Sequence, residues 1–311
     1  MRNAFAEELR ELAVQDETLV LLSGDIGNRM FDRMKELCPG RFFNCGIAEG
    51  NMVSMAAGMA LCGLRPIAYT IAPFITARCL EQIRLDVCYQ KVPVILVGTG
   101  AGLSYASLNA THHSCEDIAS LRVLPNMTVL CPGDAEEVRL ALRAAIEHRG
   151  PVYIRIGKKG EPVVHKKPPE FEIGKWITMD EPGEICLLST GNLLPLAMEV
   201  NEQLVRRGVK SGVVSCHTVK PLDRETLEAV FSHSRLVVTL EEHSILGGFG
   251  GAVAEWLAET PKANARLLRQ GTTDVFLYEA GDQEHARERY NLTPSAVVDN
   301  ILAQLDGSCS E

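Results

Sequence analysis

Short β-branched apolar runs alternate with longer stretches of helical periodicity from one end of this chain to the other. In the first half, residues 18–23, 65–70, 93–98, 127–131 and 152–156 read as strands. Their apolar positions are continuous, as in Pro93-Val-Ile-Leu-Val-Gly98, which suits strands buried on both faces of a parallel sheet. Helical patterns fall between them at 2–14, 49–62, 74–89, 115–122 and 134–148. Asp134, ahead of Ala-Glu-Glu-Val, is placed to cap its helix with acids in the first turn, and Gly150-Pro151 stops that helix. A second series follows, with strands near 184–189, 210–215 and 235–240 and helices near 193–207, 222–231, 248–258 and 294–305. Between the series, 159–183 is rich in Lys, Pro, Glu and Gly, has little periodicity, and reads as a linker. The expected fold is α/β, with two consecutive domains (1–158 and 184–311) of mostly parallel sheets flanked by helices. A length of 311 residues fits two domains.

Composition narrows the function classes. Apolar residues make up 46% and charged residues 23%, as in an ordinary globular chain. No apolar run reaches the roughly 18 to 20 residues of a membrane helix, and the start lacks the apolar core of a secretion signal. A net charge of −9 gives no basic footprint for nucleic acid. The ten cysteines include no Cys-x-x-Cys pair, and several, such as Cys131 and Cys186, sit inside apolar runs. Buried free thiols in a reducing, cytoplasmic compartment are the expectation.

Several candidate motifs are weak. Gly98-Thr-Gly-Ala-Gly102 follows a strand, but its third glycine comes one residue early for a dinucleotide turn, so a plain loop is expected. Gly247-Gly-Phe-Gly-Gly251 opens a helix, where its amides could cradle an anion or its small residues could permit close packing; packing is the favoured reading. His112 and His113 are adjacent and no third ligand is spaced with them, so no metal site is expected from this chain alone.

Residues 42–52 are more specific. Phe-Phe-Asn-Cys-Gly-Ile-Ala-Glu-Gly-Asn-Met leads into a helix of small residues, with Glu49 at the junction. Gly-Ile-Ala-Glu-x-Asn-Met resembles the pyrimidine-binding signature of thiamine-diphosphate enzymes of the transketolase group. Leu-Ser-Gly-Asp-Ile-Gly (22–27), Ala68-Tyr-Thr-Ile-Ala-Pro-Phe74, Thr111-His-His, Leu124-Pro-Asn-Met, Pro151-Val-Tyr-Ile-Arg155 and Glu241-Glu-His-Ser-Ile-Leu-Gly-Gly-Phe-Gly agree with that family in order and spacing. The likeness covers residues 1 to about 305 and implies a pyrimidine-binding domain followed by a transketolase C-terminal domain.

The resemblance assigns roles residue by residue. Glu49 would hydrogen-bond the cofactor's aminopyrimidine N1′ and favour the tautomer that acts as base. Phe74 would stack on that ring, Ile47 would press on the bent cofactor, and Asp25 would lie near the thiazolium, or else cap a helix. His112 would contact the sugar's hydroxyl and carbonyl, with His113 as a second candidate that could instead face the surface. Arg155 is placed either to clamp a phosphate or carboxylate, or to form a structural ion pair.

Family members hold the diphosphate and Mg²⁺ through Gly-Asp-Gly…Asn in a separate N-terminal domain. Every Gly-Asp here (24–25, 133–134, 281–282) lacks the following glycine. The resemblance therefore implies a split enzyme: this chain as C-terminal subunit, a partner N-terminal subunit, and an α2β2 heterotetramer moving a two-carbon ketol unit from a ketose or ketose phosphate to an aldose. Three departures bear on the substrate: Leu108-Asn109-Ala110 replaces the family's Asp-Gly-Pro, Gly50 stands where glutamine or histidine is frequent, and Gly100 lies near an expected histidine. The alternatives are a β subunit of a 2-oxo-acid dehydrogenase and a non-catalytic regulatory or scaffold subunit.

Overall fold

The computed structural model describes residues 1–27, 29–158, 160–260 and 263–305. Its strands are β1 (Leu19–Ser23), β2 (Phe42–Asn44), β3 (Arg65–Ile71), β4 (Ile95–Thr99), β5 (Thr128–Leu130) and β6 (Val152–Ile156) in the first half. The second half adds β7 (Ile177–Asp180), β8 (Ile185–Ser189), β9 (Ser211–Ser215), β10 (Thr218–Lys220), β11 (Leu236–Ser244) and β12 (Arg266–Thr272). They form a seven-stranded sheet in the order β10-β5-β6-β4-β3-β1-β2 and a five-stranded sheet in the order β12-β11-β8-β9-β7. All pairings are parallel except β10 on β5 and β7 on β9. The fold is α/β, with mostly parallel sheets flanked by helices.

Strands β1, β4, β6 and β8 are buried at every position, which is why their sequences are unbroken apolar runs. The four strands absent from the sequence reading, β2, β7, β10 and β12, are the edges of the two sheets. An edge strand tolerates polar, partly exposed residues, so Arg-Leu-Leu-Arg carries no continuous apolar signal, and the three residues Thr-Val-Lys are too few to show one. Two short helices, Asp32–Leu37 and Gln283–Arg289, also went unread.

One apolar cluster runs through both halves, from Val20, Leu22 and Leu96 to Leu188, Val214 and Val237. β10 crosses as well: it lies in the second half of the sequence yet completes the first sheet, with Thr218 opposite Leu130 and Lys220 opposite Val129. Nine cysteines are free among the described residues, six of them buried; Cys309 lies outside those residues. No helix among the described residues is long and apolar enough to cross a membrane.

Of the stretch 159–183, expected as a linker, the described residues 160–183 are docked on both halves by individual side chains. Asp134 accepts hydrogen bonds from the amides of Glu136 and Glu137 through one oxygen, capping the helix Ala135–Glu147 as expected. Its other oxygen accepts from Val164 and His165. His165 Nε2 lies 2.8 Å from Glu137 Oε1. Phe171 stacks on His217 with centroids 4.0 Å apart, and Trp176 donates to Asp223 and to the Thr218 carbonyl. Discrete contacts of this kind leave no periodic pattern.

Two outcomes follow from these anchors. Asp134→Ala removes a cap and two amide partners together and lowers stability by about 2–3 kcal/mol in urea unfolding; limited proteolysis checks that cleavage then concentrates in 160–170. Burial disfavours charge on His165, but Glu137, through its hydrogen bond and charge, prevails with Asp134 and Glu136 and holds the pKa above the ordinary 6.5. That contribution is complete below the unfolded pKa and disappears as pH rises through the folded one. Hydrogen exchange in 162–167 therefore speeds up above neutral pH beyond the intrinsic rate, and His165→Ala abolishes the excess.

Candidate active site

Parallel α/β sheets gather side chains at the carboxyl ends of their strands. Here β1 runs into Gly24-Asp25, β3 into Ala72-Pro73-Phe74, and β4 into Gly100. A Cβ on Gly24 would stand 2.9 Å from Thr70 Oγ1 and 3.4 Å from Glu49 Cγ, so the turn after β1 lies directly on the acid. Glu49 opens the helix Glu49–Leu61 and is buried, with its side chain 2% exposed. Thr70 Oγ1, beside it, is buried without a hydrogen-bond partner.

The expected single helix over 74–89 is broken into pieces: Ala72–Ile75, a 3-10 turn Ala77–Cys79, Leu80–Gln82, and a π-helical stretch Ile83–Tyr89. Thr76 contributes to the break, since its hydroxyl bonds back to the Ala72 carbonyl at 2.7 Å. Arg78 sits in the resulting turn. Its Nη1 donates to Glu49 Oε2 at 2.7 Å, and its guanidinium carbon lies 4.2 Å from the Phe74 ring centroid. Phe74 in turn meets His112 edge-on, with centroids 5.1 Å apart. Burial, reinforced by the Arg78 charge, holds the His112 imidazole below its ordinary pKa, so it is neutral at pH 7. Glu49, Phe74 and His112, named from sequence, are thus brought into one group, with Arg78 as the member sequence reasoning missed.

Tyr105 also went unread. Its ring faces His112 at 5.9 Å, under Lys158 Nζ, and it occupies the space into which a side chain at Gly100 would project. The loop Ala106–Thr111 carries Asn109 at φ 57, ψ −160, a conformation suited to glycine, at the place of the glycine in Asp-Gly-Pro. Both His112 and His113 donate their amides to the Asn109 carbonyl, at 2.9 and 3.1 Å. Gly50 faces the Gln82 carboxamide, 3.6 Å from where a Cβ would stand.

Asp25 and Ile47 lie at the rim. Asp25 is exposed, has a positive φ, and accepts a hydrogen bond from Asn44 at 2.9 Å. Ile47 is 81% exposed just before Glu49.

Arg155 and His113 turn away from this group. Arg155 is fully buried between the halves: Nε pairs with Asp117 at 2.8 Å, and Nη2 donates to the carbonyls of Ser114 and Glu242. Of the two readings given for Arg155, the structure shows the ion pair, while Nη1 is buried without a hydrogen-bond partner. His113 is buried as well, its pKa lowered by that burial, and it lines a separate cleft of about 300 Å³ with Cys115, Phe276 and Tyr290; it does not face the surface.

The glycine motifs resolve in the same network. The Phe249 and Gly250 amides donate to Glu241 at 2.6 and 2.7 Å, so the anion at that helix start is the chain's own carboxylate. Burial pushes Glu241 up to about 7 against those bonds. Gly102 has a positive φ, and a side chain there would strike Glu242, whose carboxylate accepts from the Leu103 amide. Among the described residues no group of three metal-ligating side chains occurs.

The pyrimidine-binding domain of transketolase matches residues 1–161, and the transketolase C-terminal domain matches residues 174–297. This chain belongs to the transketolase family. It is 36% identical over 308 residues to the "putative transketolase C-terminal section" of Methanocaldococcus jannaschii, covering 98% of this chain and 96% of that one. It is 33% identical to a "6-deoxy-6-sulfo-D-fructose transketolase subunit" of Clostridium sp. (strain MSTE9), covering 96% and 92%. A solved structure described as "split gene transketolase, inactive beta4 tetramer" superposes with a TM-score of 0.88 at 36% identity, covering 96% and 95%. The first of those relatives is named a C-terminal section, the second a subunit and the third a split-gene enzyme, and this chain spans nearly the whole length of each.

Arg155→Met leaves Asp117 buried and unpaired. Stability should fall by about 3–5 kcal/mol in urea denaturation, with faster amide exchange in 101–116; a loss under 1 kcal/mol would contradict the assigned ion pair.

Proposed function

We propose that this chain is the C-terminal subunit of a thiamine-diphosphate-dependent transketolase, and that its reaction moves a two-carbon ketol unit from a ketose or ketose phosphate to an aldose. The observation that carries the reading is the buried Glu49 carboxylate beside the half-buried Phe74 ring. An aminopyrimidine suits that pair, with a carboxyl group at its edge and an aromatic face beneath it.

When bound, thiamine diphosphate supplies the carbanion chemistry that ketol transfer needs. Glu49 would hydrogen-bond ring nitrogen N1′ through its buried carboxyl, where low exposure strengthens such a bond. Phe74 fixes the ring plane, and Ile47 supports the cofactor from the rim. Asp25 places negative charge near the thiazolium. His112, neutral at pH 7, can donate to or accept from the sugar's carbonyl and hydroxyl.

The Mg²⁺ and diphosphate belong to an N-terminal partner subunit carrying Gly-Asp-Gly…Asn. Support comes from exposed apolar side chains: Ile47, two residues before Glu49, is 81% exposed, and Leu61 at the far end of the helix that Glu49 opens and Tyr89 are 67% and 77% exposed. An α2β2 heterotetramer covers such side chains, and the relative described as an inactive beta4 tetramer fits a site that is incomplete without the second chain. The unpaired thiols suit a cytoplasmic setting.

Glu49→Gln in the reconstituted two-subunit enzyme should lower ketol transfer by about 100-fold or more, while the circular dichroism spectrum stays unchanged. Activity near that of the wild type overturns the role. Assaying the same preparation with a 2-oxo acid and a lipoyl acceptor separates ketol transfer from dehydrogenase-type decarboxylation.

A further inference from the structure

We infer that Arg78 is an internal stand-in for the cofactor ring, and that it must be displaced before thiamine diphosphate can bind. The inference rests on the cofactor site proposed above and adds a regulatory contact to it. An aminopyrimidine at this site needs two things from the chain, the Glu49 carboxylate at its edge and the Phe74 face beneath it. Arg78 takes both at once, donating to Glu49 Oε2 at 2.7 Å while its guanidinium lies 4.2 Å from the Phe74 centroid.

The chemistry of the substitution is close. A guanidinium is flat, carries N–H donors in its plane, and stacks on aromatic faces, as an aminopyrimidine does. It also meets a physical need of the chain alone. Glu49 is 2% exposed, and a buried carboxylate without a partner is costly. Arg78 supplies the compensating charge until another donor takes its place.

The arm is built to leave. The Arg78 side chain is 46% exposed, so its release needs no opening of the core. It stands in the three-residue 3-10 turn between two short helical pieces, where the chain already departs from a regular helix. Release also frees His112 from the nearby positive charge that helps to hold its pKa down. Cofactor entry and the readiness of the substrate histidine are thereby coupled through one side chain.

The test is the affinity of thiamine diphosphate, at saturating Mg²⁺, for the two-subunit enzyme, read by calorimetry. Arg78→Leu removes the competitor and should tighten binding about tenfold, the size of one charge-assisted hydrogen bond. Arg78→Gln keeps a neutral donor, serves if the leucine variant folds poorly, and should tighten binding less. In a Glu49→Gln background the gain from Arg78→Leu should shrink, because the contact being relieved is already weakened. Affinity equal to or weaker than that of the wild type in both Arg78 variants overturns the inference, as does an undiminished gain in the Glu49→Gln background. The underlying site is judged separately, by turnover of Glu49→Gln alone, so the two failures are distinguishable.

Discussion

Arg155, fixed by its buried pair with Asp117 in the same half, ties the two halves of the molecule together through the Glu242 carbonyl. Arg155 stands on β6 of the first sheet, and its guanidinium reaches the Ser114 carbonyl in one loop and the Glu242 carbonyl on β11 of the other sheet. Asp117 also accepts from the Tyr153 hydroxyl at 2.7 Å. Burial works to raise the Asp117 carboxyl, but Arg155 and His243 outweigh it and hold it below the usual carboxylate range. Next door, Glu242 gathers Arg287, Gln283, Asn192 and the Leu103 amide. Few arrangements of the two sheets satisfy so many buried polar groups at once, so the network specifies one of them.

That arrangement determines the shape of the loops above the strand ends. The loop from Gly100 to Cys115 is fixed at one side by Glu242 and Arg155, and it delivers His112 to Phe74 at the other. Asn109 takes a glycine-like backbone in the same loop, and the tertiary contacts on either side supply the constraint that keeps it there. The site is therefore a product of both halves, although Glu49, Phe74 and His112 all come from the first.

The interior strands were legible because continuous burial writes itself into continuous apolar sequence. The edge strands were not, since partly exposed segments such as Arg266-Leu-Leu-Arg269 need only pair, not bury, and Thr218-Val-Lys220 is too short to show a pattern. In the site, Glu49, Phe74 and His112 were read from a resemblance, and the structure places them together. Arg155 shows the limit of reading by position: a guanidinium at a strand end suits a ligand or an ion pair, and only the tertiary location of Asp117 decides. Arg78 and Tyr105 were invisible for a related reason. A lone arginine in a helical pattern looks like a solvated surface residue, and Tyr105 depends on the room left at Gly100.

The crossing of β10 makes the margin of the first sheet depend on the second half of the sequence. A polypeptide cut after the first α/β series would leave the backbone of Thr128–Leu130 bare along one margin, inviting a second copy to add itself there. The remainder would carry Thr218–Lys220 with nothing to join. A nascent chain can seal that margin only after some 220 residues have emerged.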